Sequence, residues 1–342
     1  MSTGSSPTPA LLEVSNLSVT LHTARTSVKP VDGVSYRVDE GEVLAIVGES
    51  GSGKTILNMA PLSLLPTGLD AEIEGTVKFN GLDILRAPEQ QMRKLRGGEI
   101  GVIFQDPLSS LNPVRRIGRQ IAEVSELHLG MTAAQADKRA AELLALVGLP
   151  DPLSRLQQYP HELSGGMRQR VGIAMSIAGE PKLLIADEPT TALDVTVQAQ
   201  IVELLKDLQR RLQMAIVIIT HDFGVVSGMA TKVAVMYAGR LSELGPVDDV
   251  LMTPVHPYTK GLLGSVPSLN ADIGSKFIGL PGQPPDLSRL IRGCAFTPRC
   301  ASALQSCSAT QPHLLSVPGE SSTHVAACPV IINKLARVME DA

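Results

Sequence analysis

Residues 48–55 read Gly48-Glu49-Ser50-Gly51-Ser52-Gly53-Lys54-Thr55, and the reading of this stretch decides the fold. It follows the apolar run Val43-Leu44-Ala45-Ile46-Val47 and precedes Ile56-Leu57-Asn58-Met59-Ala60. The order is strand, glycine-rich turn, helix, and the spacing fits the phosphate-binding pattern G-x-x-x-x-G-K-[ST]. Gly48, Gly51 and Gly53 let the backbone fold tightly, so that successive N–H groups, those of Ser50 and Ser52 among them, point into one concavity. The helix start adds partial positive charge there. The loop predicts binding of a nucleotide, with Lys54 reaching the β- and γ-phosphates and the Thr55 hydroxyl on Mg²⁺.

The bulk properties narrow the class. A chain of 342 residues has room for two domains and a full-sized core. The net charge of −4 gives no basic footprint for nucleic acid. With no Trp, four Tyr and five Phe, a platform for stacking bases is also not expected. No apolar stretch approaches the roughly 18 residues that span a bilayer. Residues 1–10 are rich in Ser, Thr, Pro and Gly, without a basic or apolar signal segment. They are expected to form a disordered lead on a cytoplasmic chain. If the protein works at a membrane, other subunits must do the spanning.

Further along, Leu12 to Val19 and Val34 to Val38 alternate apolar and polar residues, as half-buried strands do. Val77-Lys78-Phe79 followed by Asn80-Gly81 predicts a strand and a hairpin turn. Segments 41–47, 100–104, 182–187 and 215–220 are nearly continuous apolar runs, expected of parallel strands buried on both faces. Residues 106–165 read instead as a helical insertion, with Thr132 as an N-cap and Gly148 as a stop for an Ala/Leu-rich helix. A later helix over about 196–212 places Ile201, Leu204, Leu205, Leu208 and Leu212 on one face for core packing. Pro and Gly become frequent over 253–331, which puts a domain boundary near 248.

A second acidic motif narrows the chemistry. Lys182-Leu-Leu-Ile-Ala-Asp187-Glu188-Pro189 is a buried strand ending in two carboxylates. Asp187 suits Mg²⁺ through water, and Glu188 can polarise the attacking water as a general base. Leu163-Ser164-Gly165-Gly166-Met167-Arg168-Gln169-Arg170 lies upstream, Gln105 follows the strand at Ile103-Phe104, and His221 follows Ile219-Thr220. Ser164 and two glycines at a helix start form another anion-binding terminus.

In this order and spacing, residues 11–248 resemble the nucleotide-binding subunit of an ABC transporter. The resemblance implies an α/β P-loop NTPase fold, with a RecA-like parallel sheet core, an antiparallel β subdomain and a helical subdomain at about 106–165. It implies roles for matching positions: residues 48–55 as the Walker A loop, Gln105 as a Mg²⁺ ligand and relay to the membrane subunit, and Ser164, Gly165 and Gly166 as the signature motif. Asp187 and Glu188 match Walker B and the catalytic base, Ala192-Leu193-Asp194 the D-loop, and His221 the γ-phosphate switch. Two such subunits, identical or different, are expected to sandwich two ATP molecules, each closing its signature motif over the nucleotide of the other. The family usually stacks adenine on an N-terminal aromatic ring. Here Leu21 to Ser27 offers only His22 or Arg25.

Cys294, Cys300, Cys307 and Cys328 are the chain's only cysteines, spaced C-x5-C-x6-C-x20-C. Three readings compete: two disulfides, disfavoured in a reducing cytoplasm, four unrelated buried thiols, which would rarely cluster so, and the favoured one, a four-thiolate metal site, iron–sulfur or zinc. The segments Pro254-Val-His256-Pro257-Tyr258-Thr259, Pro281-Gly-Gln-Pro284-Pro285 and His324-Val-Ala-Ala-Cys328 are similar to the C-terminal region of dipeptide/oligopeptide/nickel importer ATPases. Ile291 stands where that group often has proline. His256 is expected to pack rather than ligate. The resemblance implies a [4Fe–4S] cluster on the four cysteines, with zinc as alternative, in a small extension over 249–342. It also implies two integral membrane permeases, an extracytoplasmic substrate-binding protein, no nucleic acid, and a peripheral place on the cytoplasmic face of the membrane. The expected function is ATP hydrolysis that powers di- or oligopeptide uptake. Nickel, another small solute and a soluble non-transport ATPase are the alternatives.

Overall fold

The computed structural model describes residues 10–23, 26–66, 68–106, 110–191, 193–265, 280–289 and 291–340. Their strands are β1 (Leu12–His22), β2 (Ser27–Val38), β3 (Val43–Val47), β4 (Asp70–Phe79), β5 (Leu82–Asp83), β6 (Ile100–Ile103), β7 (Leu183–Asp187), β8 (Ala215–Thr220), β9 (Lys232–Tyr237), β10 (Arg240–Pro246), β11 (Leu315–Ser316) and β12 (Val325–Ala326). The contacts divide into two compact units: residues up to 13, 37–43 and 77–219 in the first, and 14–36, 44–76 and 220–342 in the second.

In the first unit β6, β7 and β8 run parallel, with Ile100 beside Leu183 and Leu183 beside Ala215. Every residue of β7 and β8 is buried, which is why these runs lack alternation. β4 turns into β5 through Asn80 and Gly81, both at positive φ (48° and 80°), and pairs Phe79 with Leu82. Positive φ at both turn residues gives the hairpin the twist its strands need.

Helices Ile117–Leu129, Ala133–Leu146 and Gly165–Ile177 pack on one another. Thr132 caps the second of these in a full capping box with Gln135, and Gly148 lies just beyond its end at φ 72°. The helix Val195–Leu212 buries Ile201, Val202, Leu205 and Leu208. Leu212, expected on the buried stripe, is 37% exposed, and Leu204 is half-buried. The last turn ends at Gln213, φ 51°, so its side chains face solvent while Val202 takes a core place.

In the second unit β3 runs parallel to β9, β9 turns back antiparallel into β10, and β10 pairs with β12, which pairs with β11. The two short strands near the C-terminus therefore continue the sheet that carries the phosphate loop. Val255, Val317, Ala326 and Ile332 form a small core beneath them, with Ile331 and Leu335 packed against it. β2, β1 and the start of β4 adjoin in that order. Among the described residues no helix is long and apolar enough to cross a membrane.

Two buried polar groups hold the chain after β10. Glu243, fully buried on β10, accepts the N–H groups of Val255 (2.8 Å) and His256 (2.9 Å) and bonds His324 (2.9 Å). A buried carboxylate is tolerated when its lone pairs are filled in this way. His256 packs, as expected, and also caps the helix Pro257–Gly264: its Nδ1 accepts the Tyr258 N–H at 3.1 Å. That role requires neutral imidazole. Burial lowers the His256 pKa from 6.5 to about 4, with Glu243 opposing more weakly. The native state thus resists a proton that the unfolded chain accepts below about 6.5. Stability is fully present above that pH and is lost as pH falls toward 4. Acidification from pH 7 to 5 should cost about 2 kcal/mol at this residue, read by denaturant unfolding. His256→Asn, which keeps a cap acceptor, should flatten that slope.

Candidate nucleotide site

In the second unit the loop after β3 is pressed from two sides. A Cβ on Gly48 would lie 2.1 Å from the Met236 carbonyl oxygen, and one on Gly53, at φ 100°, would lie 1.9 Å from the Pro30 carbonyl oxygen. Neither position tolerates a side chain. Lys54, buried at the start of the helix Lys54–Met59, donates to the carbonyls of Gly48 (2.8 Å) and Glu49 (2.9 Å). The loop is thereby closed into a ring around its own ammonium group, with Ser52 Oγ at 3.4 Å. Asn58 ties the ring to the helix, donating to the Lys54 carbonyl (3.0 Å) and accepting from the Tyr36 hydroxyl (3.1 Å). Ser50, Gly51 and Thr55 remain exposed on the loop. His221, also in this unit and exposed, precedes Asp222, which caps the helix Phe223–Met229.

In the first unit Asp187 ends β7 and is buried, whereas Glu188 turns away at φ 45°. A glutamate in the left-handed region is strained, and such strain gathers at functional positions. The turn is held by the Glu188 N–H on the Ile219 carbonyl, 2.9 Å, and the Thr191 N–H on the Glu188 carbonyl, 3.1 Å. The Glu188 carboxylate accepts from Gln105 Nε2 at 3.0 Å and from the Thr191 hydroxyl at 2.8 Å. Gln105, expected as a Mg²⁺ ligand, here orients the expected catalytic base. Thr191 was not singled out by the sequence reading. Its position three residues after Glu188 is the signal that could have found it.

Ser164 caps the helix Gly165–Ile177, its Oγ accepting the Met167 N–H at 3.3 Å. Ser164 and Gly165 are exposed. Asp194 caps the helix Val195–Leu212 through the Val197 N–H, 3.0 Å. A Cβ on Gly166 would come within 2.9 Å of Val197 Cγ1, so the signature turn and the Asp194-capped turn abut. Ala192 and Arg25 lie outside the described residues. His22 bonds Ser27 Oγ at 2.9 Å and sits 3.5 Å from Glu72.

The extension reaches the phosphate loop directly, a contact the sequence reading missed. Arg299 grips Glu49 with both arms of its guanidinium, at 2.6 and 2.9 Å, and donates to the Pro281 carbonyl at 2.7 Å. The Tyr258 hydroxyl accepts the Glu49 N–H at 2.9 Å. Tyr237, Tyr258 and Phe296 pack ring on ring with centroids 4.5 to 5.5 Å apart, and Arg299 lies 5.8 Å from the Tyr237 ring and 5.9 Å from that of Phe296. Three of the chain's nine aromatic residues meet here, which marks this as the extension's anchor. The Glu49 carboxylate raises the Arg299 pKa, and burial raises that of Tyr258.

The four cysteines are half-buried and their sulfurs lie in mutual electrostatic reach. Burial raises the thiols of Cys300 and Cys328, and neighbouring cysteines raise them further. The Cys294 N–H donates to the Cys307 carbonyl at 2.8 Å, bringing two segments of the set together. Clustered thiolates that repel one another suit a cation, which would offset both effects. Among the described residues no three of these sulfurs lie within 4.8 Å of one another.

A phosphate loop after one parallel strand, a carboxylate pair ending another and a serine-capped signature helix define an ATP-binding cassette. The ABC transporter family matches residues 31–191, and the "Oligopeptide/dipeptide transporter, C-terminal region" matches residues 242–307. The oligopeptide transport ATP-binding protein OppD of Bacillus subtilis (strain 168) is 49% identical over 92% of this chain and 87% of its own length. That of Salmonella typhimurium is 50% identical over 92% of both. Among solved structures, the dimeric ATP-binding cassette MJ0796 in a post-hydrolysis state bound to ADP and Pi has a TM-score of 0.59 at 29% identity, covering 69% of this chain and 98% of that one. The chain belongs to the family of ABC transporter ATP-binding proteins, in the branch that carries the oligopeptide/dipeptide C-terminal region. It is an ATPase of that class, for which ATP and Mg²⁺ are the expected ligands.

The Arg299 clamp generates a test. Glu49 places a carboxylate beside an anion-binding loop, and Arg299 neutralises it. Arg299→Gln should weaken binding of a non-hydrolysable ATP analogue about ten-fold through the exposed like charge. Adding Glu49→Gln should restore most of the affinity. A double variant as weak as the single one would mean that Arg299 acts only by packing.

Proposed function

We propose that this chain is the ATP-hydrolysing subunit of an importer that takes up di- and oligopeptides across the cytoplasmic membrane. The observation that carries this reading is the joint presence of an intact cassette and the oligopeptide-type extension, across which relatives named for oligopeptide transport are about half identical. The cassette occupies 11–248, with its helical subdomain at about 106–165, and the extension occupies 249–342.

The glycine-rich loop, with the N–H groups of Ser50 and Ser52 and the Lys54 ammonium, binds the phosphates. Thr55, Gln105 and Asp187 are the groups suited to hold Mg²⁺, which neutralises charge on the β- and γ-phosphates when bound. Glu188 accepts a proton from water as its oxygen attacks the γ-phosphorus; the bond to the bridging oxygen breaks and leaves ADP and phosphate. The Gln105 and Thr191 donors aim the Glu188 carboxylate for this task. His221 contacts the γ-phosphate. Ser164 and Gly165 stand exposed at their helix start and Gly166 follows them, suited together to close on ATP held by a second ATPase subunit, with Asp194 beside them. Loss of the γ-phosphate removes the shared contact and opens the pair. Two membrane permeases and an extracytoplasmic substrate-binding protein complete the complex, and this subunit sits peripherally on the cytoplasmic face.

Glu188→Gln should retain ATP binding and lose at least 100-fold in turnover, as removal of a general base does. The assay is steady-state hydrolysis in the assembled complex; turnover near that of the wild type would remove Glu188 from this role.

We infer further that Cys294, Cys300, Cys307 and Cys328 hold a [4Fe–4S] cluster, supported by their mutual reach and by a donor set of four thiols. Anaerobically purified protein should be brown and contain about four irons per chain. A colourless protein with one thiolate-bound zinc would refute the cluster.

A further inference from the structure

A second group of ligand-type side chains lies after β10, apart from the cysteines. The loop between β11 and β12 is tight: the Val317 N–H donates to the His324 carbonyl at 3.0 Å, and the His324 N–H to the Ser321 carbonyl at 2.8 Å. This loop carries Glu320 and His324, and the helix Val247–Met252 carries Asp249. One ligand atom from each of Asp249, Glu320 and His324 lies within 4.8 Å of the other two.

The imidazole is what distinguishes this group from an ordinary acidic cluster. His324 is fully buried and is held by Gly245, where an added Cβ would lie 2.9 Å from its ring. Its Nε2 meets Glu243 Oε1 at 2.9 Å. Both Glu243 oxygens already accept backbone N–H groups, so Oε1 serves as an acceptor and the Nε2 N–H donates to it. That tautomer leaves a lone pair on Nδ1. Nδ1 is buried and has no hydrogen-bond partner, and the same holds for Asp249 Oδ2. Buried acceptors without a donor are costly unless a cation satisfies them, and these two belong to residues already within ligand reach of each other.

We propose that Asp249, Glu320 and His324 form a divalent-cation site of the zinc class, with Glu243 as the outer carboxylate that orients the imidazole. An imidazole among the ligands favours zinc-like ions over Mg²⁺ or Ca²⁺, which prefer oxygen alone. A carboxylate behind the ligating histidine is the usual support for such an ion. Bonds of about 2.0–2.2 Å require the three ligand atoms to draw together slightly, and water can supply the fourth position. The ion would staple the loop 317–324 to the helix Val247–Met252.

The test compares the full-length wild type with Asp249→Asn/Glu320→Gln, both nucleotide-free, anaerobically purified and equilibrated with buffered Zn²⁺. The cysteines and the phosphate loop are the same in both, so the difference isolates this site. The expected result is one zinc equivalent fewer in the variant, together with loss of a Zn²⁺-dependent rise in unfolding temperature seen in the wild type. Without metal, the variant should be at least as stable, because carboxylate repulsion is relieved. Equal zinc uptake would overturn the proposal. A metal-free variant markedly less stable than wild type would overturn it too, because that is the behaviour of an imidazolium paired with both carboxylates.

Discussion

Backbone packed against backbone at Gly48 and Gly53 is the constraint on which the nucleotide site rests. The carbonyl oxygens of Met236 and Pro30 occupy the space that side chains would take. Two strands thus mould the loop, and Lys54 closes it by bonding to its carbonyls. A pocket for phosphate built from N–H groups has no side-chain slack, so its shape must be imposed by rigid neighbours. Here those neighbours are β2 and β9, and β9 is itself held by β10.

That dependence continues into the extension. β10 pairs with β12, Tyr258 and Arg299 grip Glu49, and the rings of Tyr237, Tyr258 and Phe296 seal the contact. The cysteine-bearing segment is therefore part of the support of the phosphate loop. Cys300 directly follows Arg299 in the chain. Whatever holds the four thiols together also holds the guanidinium that neutralises a carboxylate next to the phosphates.

Beneath this contact lies Glu243, a fully buried carboxylate that organises three segments at once. Its acceptors fix the N–H groups that lead into the helix Pro257–Gly264 and set the tautomer of His324. A single buried charge with every partner in place specifies one arrangement of its surroundings, because each alternative leaves it unsatisfied. At the partly buried Glu188, Gln105 and Thr191 likewise converge on one carboxylate, here from a strained turn.

Local pattern was enough for much of this protein. The apolar runs at β3, β7 and β8, the Asn80-Gly81 turn, the Thr132 cap and the glycine-rich loop are legible because each follows from neighbours a few residues apart. The motif residues were legible for the same reason: spacing after a strand places Asp187 and Glu188, and a serine before two glycines starts a helix. Periodicity failed at Leu212, where a helix end, not its face, decided exposure. What the chain order could not reveal is pairing at long range. Glu49 with Arg299, Glu243 with His324 and Gln105 with Glu188 join residues far apart in sequence, and in isolation each is an ordinary polar residue. Only folding brings these distant groups within hydrogen-bond reach and leaves each a set of partners, and so the tertiary structure alone decided which polar groups act together.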